Sequence, residues 1–302
     1  MVDTSYQDTG QDWSTDTFTA GERDTLMAWY SDVHGLGTIE FCQFVPYMLD
    51  LRQDALKRYR HWVEYVPSGK GLEDPIGPGT ALTWLHYYVI NGYSDGYMYE
   101  VIAARKRGAS RAEVAQATVL GWLHGGPRGL SAAAKKAAGF VQDWPAGEPS
   151  TLPWPAGWAA DPDAFKSGAD LEPGHEFTAA DLQALRNWHM TTQGAVPDYV
   201  EVLADVNPGA LKLWRARYEN AATGPLPKQF IALLQVHAAC LMQADAPLKR
   251  AVHMALHFGA SRGQVIQVLS TPQVYLGDLG MTAAWATTGL IGEAAPGLAD
   301  GI

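Results

Sequence analysis

The sequence predicts an all-α fold built from two tandem helical units related by internal duplication, and three observations carry that reading. The first is a repeat. Residues 108–116 read GASRAEVAQ and residues 259–267 read GASRGQVIQ, an offset of 151 residues. The same offset pairs His86 with His237, Val101 with Val252, Ala104 with Ala255, Gly126 with Gly277, and Val45-Pro46 with Val196-Pro197. After a short slip, Ala55-Leu56-Lys57 answers Ala210-Leu211-Lys212; further upstream, Phe18-Thr19-Ala20 and Trp29 answer Phe177-Thr178-Ala179 and Trp188. An ordered series of this length is the mark of a copied structural unit. The second observation is periodicity: Phe230, Leu233, Leu234, His237, Cys240, Leu241 and Ala244 recur at helical spacing, as do Leu82, Leu85, His86, Val89 and Tyr93. The third is that no alternating, strand-like pattern of useful length occurs.

Taken in order, residues 1–17 are polar and acidic and are expected to form a mobile tail. Residues 18–145 make the first unit. Residues 146–176 are a linker rich in proline and tryptophan, and residues 177–302 make the second unit. The prolines around the linker (Pro145, Pro149, Pro153, Pro155, Pro162, Pro173) disfavour regular structure. Trp144, Trp154 and Trp158 argue for an ordered strap, because a solvated tether has little use for indoles. The GAS element reads as a helix-to-helix corner. Gly108 and Gly259 suit a left-handed helix cap, and Ser110 with Glu113, like Ser261 with Gln264, spells a capping box that opens the next helix.

Composition narrows the function classes. With 47% hydrophobic and 18% charged residues among 302, the chain can bury a large core. Its net charge of −10 and the lack of a basic stripe speak against nucleic acid and against an anionic membrane surface. The N-terminus lacks the pattern of a secretory signal, and no apolar run has the length of a membrane span. Cys42 and Cys240 form neither a disulfide framework nor a CxxC pair, so a reducing cytoplasm is the expected setting.

Leu226-Pro227-Lys228, the following helices, Gly259-Ala260, Val265-Ile266-Gln267, Tyr275 and Gly277 together resemble the carboxymuconolactone decarboxylase family, which includes AhpD-like alkylhydroperoxidases. A fainter version runs through Gly108-Ala109, Glu113-Val114, His124, Gly126 and Pro127. The resemblance implies compact AhpD-like helical units, oligomerisation through helix packing, and cofactor-free chemistry on small organic molecules. It also implies positions for the family's functional groups. The paired thiols fall on Tyr93 and Gly96, and on Ala244 and Pro247. The glutamate falls on Ala81 and Ala232, and the histidine on Glu100 and Ala251. Without its thiol pair the chain cannot run a dithiol–disulfide cycle, so thiol peroxidase activity is disfavoured.

His86 and His237 are retained at equivalent places on apolar helix faces. Each is read either as a buried histidine bonded to a carbonyl or as an acid/base imidazole in a pocket. Glu100, where the resemblance puts a histidine, is either a pocket acid/base or an exposed carboxylate paired with a cation. His124 and Tyr275 occupy equivalent positions where the family lines its pocket. Trp84, Tyr87, Tyr88, Tyr93, Tyr97 and Tyr99 make the first unit aromatic-dense, which suits core packing or a flat ligand. His253 and His257 sit one turn apart beside Lys249 and Arg250 on a polar face without a third ligand, which disfavours metal. Cys240, one turn after His237, reads as a small hydrophobe or as a partner for the imidazole.

The expectation is a divergent, cofactor-independent carbon–carbon lyase of the decarboxylase or isomerase type, acting on a small aromatic or lactone-like metabolite. His86 and Glu100 would move protons, with Tyr99, His124, His237 and Tyr275 binding substrate and no metal required. The alternative is a non-catalytic ligand-binding or assembly protein. A homo-oligomer is expected, with a trimer as the first guess.

Overall fold

The computed structural model describes residues 8–34 and 43–278. Within them the chain is all-α, and the only strand-like contact is an isolated bridge between Ala160 and Pro227. The helices are α1 (Ala20–His34), α2 (Phe44–Leu51), α3 (Gln53–Tyr65), α4 (Thr80–Asn91), α5 (Ser94–Lys106), α6 (Arg111–Gly125) and α7 (Arg128–Gln142). After the strap come α8 (Ala179–Gln193), α9 (Asp198–Val206), α10 (Pro208–Ala222), α11 (Lys228–Leu241), α12 (Asp245–His257), α13 (Arg262–Ser270) and α14 (Pro272–Leu276). The order α1–α6 thus recurs as α8–α13 with similar boundaries. Where α6 runs unbroken, Pro272 has no N–H to give and the second series restarts as α14.

The GAS corners form as the sequence predicts. Gly108 and Gly259 adopt φ of +97° and +91°. The Ser110 backbone N–H donates to Glu113 Oε2 at 2.7 Å, and the Ser261 N–H donates to Gln264 Oε1 at 2.7 Å. Both boxes close, each serine hydroxyl accepting the backbone N–H three residues on.

The last residue of each motif does something the capping argument does not foresee. Gln116 receives the Leu226 N–H at 2.8 Å and donates to the Ala222 carbonyl at 3.0 Å. Gln267 receives the Ile76 N–H at 2.8 Å and donates to the Pro67 carbonyl at 2.9 Å. Each buried amide therefore clamps the loop in front of the other unit's central helix, α11 for Gln116 and α4 for Gln267. The apolar core follows the same logic: one cluster runs through both units, from Leu82, Leu85 and Val101 to Leu233, Leu234 and Val252. Smaller clusters fill the spaces under α1–α3 and under α8–α10.

The strap is ordered. Trp154 donates from its indole to Glu113 Oε1 at 3.0 Å and packs against Phe230, while the Thr151 N–H reaches the Gly108 carbonyl at 2.8 Å. Phe165, in the same segment, is fully buried. The N-terminal tail departs from expectation over residues 8–17. Trp13 stacks on His61 and bonds Glu64, and the buried Lys57 ammonium donates to Thr15 Oγ1, the Thr17 carbonyl and Glu22. A buried ammonium needs acceptors, and the tail supplies them. Lys212, its counterpart, holds the Glu172 and His175 carbonyls in the same way. Cys42 lies outside the described residues.

Candidate active site

Helices α1–α5 converge on a cavity of about 240 Å³. Its wall is aromatic: Tyr30, Phe44 and Tyr59 come from α1–α3, Trp84, Tyr87 and Tyr88 from α4, and Tyr93 and Tyr99 from the start and middle of α5. Two charged side chains enter this wall, Arg60 from α3 and Glu100 from α5. The last piece is foreign to the unit. Val274 and Tyr275 reach over from α14, and the Tyr275 ring stacks on Tyr87 at 3.5 Å, with the planes 9° apart.

Glu100 is 3% exposed, and no hydrogen bond to its carboxyl is made among the described residues. Burial drives its pKa well above the usual 4.5, and the Arg107 guanidinium only partly opposes that rise. Burial therefore favours the protonated, neutral form of this side chain. Arg60 is equally buried, with its guanidinium 4.7 Å from the Trp29 ring and 5.4 Å from that of Tyr30.

A second cavity, of about 360 Å³, lies among α8–α12. Its lining mirrors the first. At the repeat offset Trp84, Tyr87, Tyr88 and Tyr93 become Gln235, Ala238, Ala239 and Ala244, while Tyr99 and Glu100 become Arg250 and Ala251. Tyr59, Arg60 and Val63 become Trp214, Arg215 and Tyr218, and the crossing pair Val274-Tyr275 becomes Leu123-His124. The two sites share geometry and differ in chemistry: one is an aromatic box with an acid, the other an aliphatic box without one.

Between them stands a chain of three imidazoles. His86 Nδ1 lies 3.2 Å from His237 Nδ1, and His86 Nε2 lies 2.8 Å from His124 Nδ1. Burial, then the neighbouring histidines, pushes the His86 pKa well below 6.5; burial brings His124 to about 4 and His237 to about 3. All three are neutral at pH 7, so each carries one N–H. Two proton arrangements satisfy both bonds. In one, His124 Nδ1–H and His86 Nδ1–H donate towards α11, leaving the proton of His237 on Nε2. In the other, His237 Nδ1–H and His86 Nε2–H donate towards α6, leaving the proton of His124 on Nε2. Passing between them takes up a proton at His124 Nε2 and releases one at His237 Nε2. His237 Nε2 is buried without a hydrogen-bond partner among the described residues, and its ring meets that of Tyr275 at 6.2 Å.

The structure thus brings Tyr99, Glu100 and Tyr275 together in the first cavity and places His124 on the second. His86 and His237 line neither. His86 is buried and bonded to two histidines, not to a carbonyl, and it does not share a cavity with Glu100. Tyr97 turns away and bonds Thr118 at 2.8 Å. His253 lies against α8, its Nδ1 3.1 Å from the Thr192 carbonyl, while His257 is exposed. No group of histidine, cysteine or acidic side chains among the described residues is arranged to hold a metal ion. Cys240 is fully buried, and burial lifts its thiol to about 12, far from a thiolate at neutral pH. No described helix is long and apolar enough to cross a membrane. Arg60 escapes the sequence reading, although its pairing with Arg215 at the same slip as Lys57 with Lys212 was there to be seen.

Compared with family models, with curated proteins and with solved structures, the chain matches none.

Proposed function

We propose that the first cavity is the active site of an acid–base catalyst, a carbon–carbon lyase of the decarboxylase type acting on a small aromatic or lactone-like anion. The observation that carries this reading is Glu100: a buried carboxyl, unbonded among the described residues, in an aromatic box that also holds a buried guanidinium. Burial raises the pKa of this carboxyl and favours the protonated form, which can give its proton to a carbon. Arg60 holds the anionic oxygen of the substrate, and the tyrosine and tryptophan rings fix the plane of the molecule. As the carbon–carbon bond breaks, the substrate's carboxylate leaves as carbon dioxide and the bonding electron pair is taken into the conjugated system that remains. Glu100 then protonates the carbon, becomes a carboxylate, and is reprotonated from solvent. Tyr99 and Tyr275 bind substrate. His237 stands behind the wall as a positioning residue with its ring against Tyr275, His86 bonds His237 from behind, and no cofactor is invoked.

The test is deuterium incorporation. In D2O, a panel of small aromatic carboxylic acids and lactones is followed by proton NMR for product and for exchange at the reacting carbon. Glu100→Gln keeps the shape and removes the acid, and it is expected to reduce incorporation at least 100-fold. Equal incorporation by wild type and Glu100→Gln would refute the assignment of Glu100. A compound that binds in the first cavity without turnover or exchange supports the non-catalytic, ligand-binding alternative.

The repeated helix order and the mirrored cavity walls support descent from one copied, AhpD-like unit. Assembly into a homo-oligomer, a trimer first, is supported by exposed apolar side chains at matching places, Tyr47 and Leu51 on α2 and Val202 and Val206 on α9. Sedimentation showing only monomer at micromolar concentration refutes it.

A further inference from the structure

We infer that the second cavity is a separate binding site for a small monocarboxylate with an apolar, ring-sized body, and that Arg250 is its anchor. The argument starts from charge. The chain carries −10 overall, yet among the described residues this cavity is lined by two arginines and by no aspartate or glutamate. The two arginines are not equivalent. Arg215 is spent: its Nε donates to Glu219 at 2.8 Å, its terminal nitrogen donates to the Phe165 carbonyl, and the guanidinium lies 4.0 Å from the Trp188 ring. Arg250, half-buried on the wall, makes no ion pair or hydrogen bond with a described residue. A guanidinium on the wall of an apolar cavity without a counter-ion among the described residues selects an anion, and its planar fork fits a carboxylate.

The rest of the wall defines the body of the ligand. Where the first cavity is lined by Tyr87, Tyr88 and Tyr93, the second has Ala238, Ala239 and Ala244. That exchange empties the box and leaves room beside Leu123 and Trp214 for a ring supplied by the ligand. The imidazoles do not compete for the anion as cations. Burial holds His124 and His189 at about 4, so both are neutral. His189 Nδ1 lies 2.8 Å from Gln193 Oε1 and so carries the proton, which leaves Nε2 as an acceptor for a ligand hydroxyl. Ala251 stands where the first cavity has Glu100, so this site has no acid to spend and binds without turning over.

The probes are 2-naphthoate and its uncharged isostere 2-naphthamide, titrated calorimetrically into the full chain. Wild type is expected to bind naphthoate at least tenfold more tightly than the amide. Arg250→Gln, on a helix face open to solvent, should weaken naphthoate at least tenfold and leave the amide within about threefold. Ala244→Tyr copies the equivalent residue of the first unit into the cavity and should weaken both ligands at least tenfold. Tyr93→Ala, in the first cavity, should leave both within about twofold. Circular dichroism melts check that each variant folds. Absence of naphthoate binding, binding indifferent to both Arg250→Gln and Ala244→Tyr, or loss only in Tyr93→Ala overturns the inference. Glu100→Gln separates the two assignments: it abolishes the exchange expected of the first cavity and leaves naphthoate binding intact.

Discussion

His86 on α4 and His237 on α11 face each other through their Nδ1 atoms at 3.2 Å, and they occupy the same position in the two halves of the chain. Two identical neutral imidazoles can bond through like atoms only if their tautomers differ, one donating and one accepting. A symmetric contact is therefore electronically asymmetric. Among the described residues the bond of His124 is to His86, so its tautomer and those of His86 and His237 change together. This places a rotor of protons at the centre of the molecule, where the two units share one core.

That centre should make the fold acid-sensitive. The unfolded chain takes up protons on these histidines below about pH 6.5, whereas the folded chain resists until about 4 for His124 and about 3 for His237. Stability is thus complete above pH 6.5 and falls as the pH drops towards those values, with a slope of about 1.4 kcal/mol per pH unit for each imidazole. Thermal melts between pH 7.5 and 4.5 should show this fall, and His86→Gln should show a shallower one from a lower starting point. A wild-type melting temperature that is flat across that range contradicts the burial of neutral imidazoles.

Glu100 titrates in the opposite sense. Its folded pKa lies above the unfolded 4.5, so the folded state holds a proton that the unfolded state gives up. Its contribution is present below pH 4.5 and is lost as the pH rises towards the folded value. Glu100→Gln, which cannot ionise, should therefore gain stability relative to wild type as the pH is raised from 4.5 to 8. Parallel urea titrations at the two ends of that range read the difference. A gap that shrinks with rising pH would mean that the carboxylate is ionised in the fold.

The two GAS corners offer an internal control. A Cβ on Gly108 would meet Thr151 Oγ1 at 2.2 Å, whereas one on Gly259 meets nothing within 4 Å. Both substitutions to alanine incur the strain of positive φ, about 1–2 kcal/mol. Gly108→Ala should cost at least 1 kcal/mol more, because it also pushes the strap off the corner. Equal losses in chemical denaturation would mean that the strap does not rest on Gly108.

Tyr87 and Tyr275 close the first cavity from opposite units. A double-mutant cycle to alanine should give a coupling of about 0.5–1.5 kcal/mol, as expected of stacked rings. Tyr275→Ala alone should also open the cavity to solvent and lower the pKa of Glu100, which carbonyl-region infrared spectroscopy can follow. Strictly additive losses would remove the stack as a structural element.

Much of this was legible in the sequence because it is local. Serine followed three residues later by glutamate or glutamine, after a glycine, specifies a helix corner through hydrogen bonds within one short segment, and both corners form. Apolar residues at helical spacing specify helices whatever those helices meet. The tryptophans of the strap announced burial, and Trp154 shows what they are for: its indole completes the cap at Glu113. The contacts of residues 8–17 were not legible because their anchor, Lys57, lies forty residues downstream of Thr17, and a lysine in sequence does not declare that it will be buried.

What only the tertiary structure decided is which faces meet. The helical period places His86 on the apolar face of α4 and leaves Glu100 on α5 either in a pocket or exposed, and it cannot say that one turns to α11 and α6 and the other to α3. Nor can it say that Tyr275 and His124, equivalent in their units, each complete the cavity of the opposite unit, or that Gln116 and Gln267 clamp each other's loops. The reason is physical. Periodicity fixes a direction relative to a helix axis, whereas the partner of that direction is set by how whole helices pack, through contacts between residues far apart in the chain.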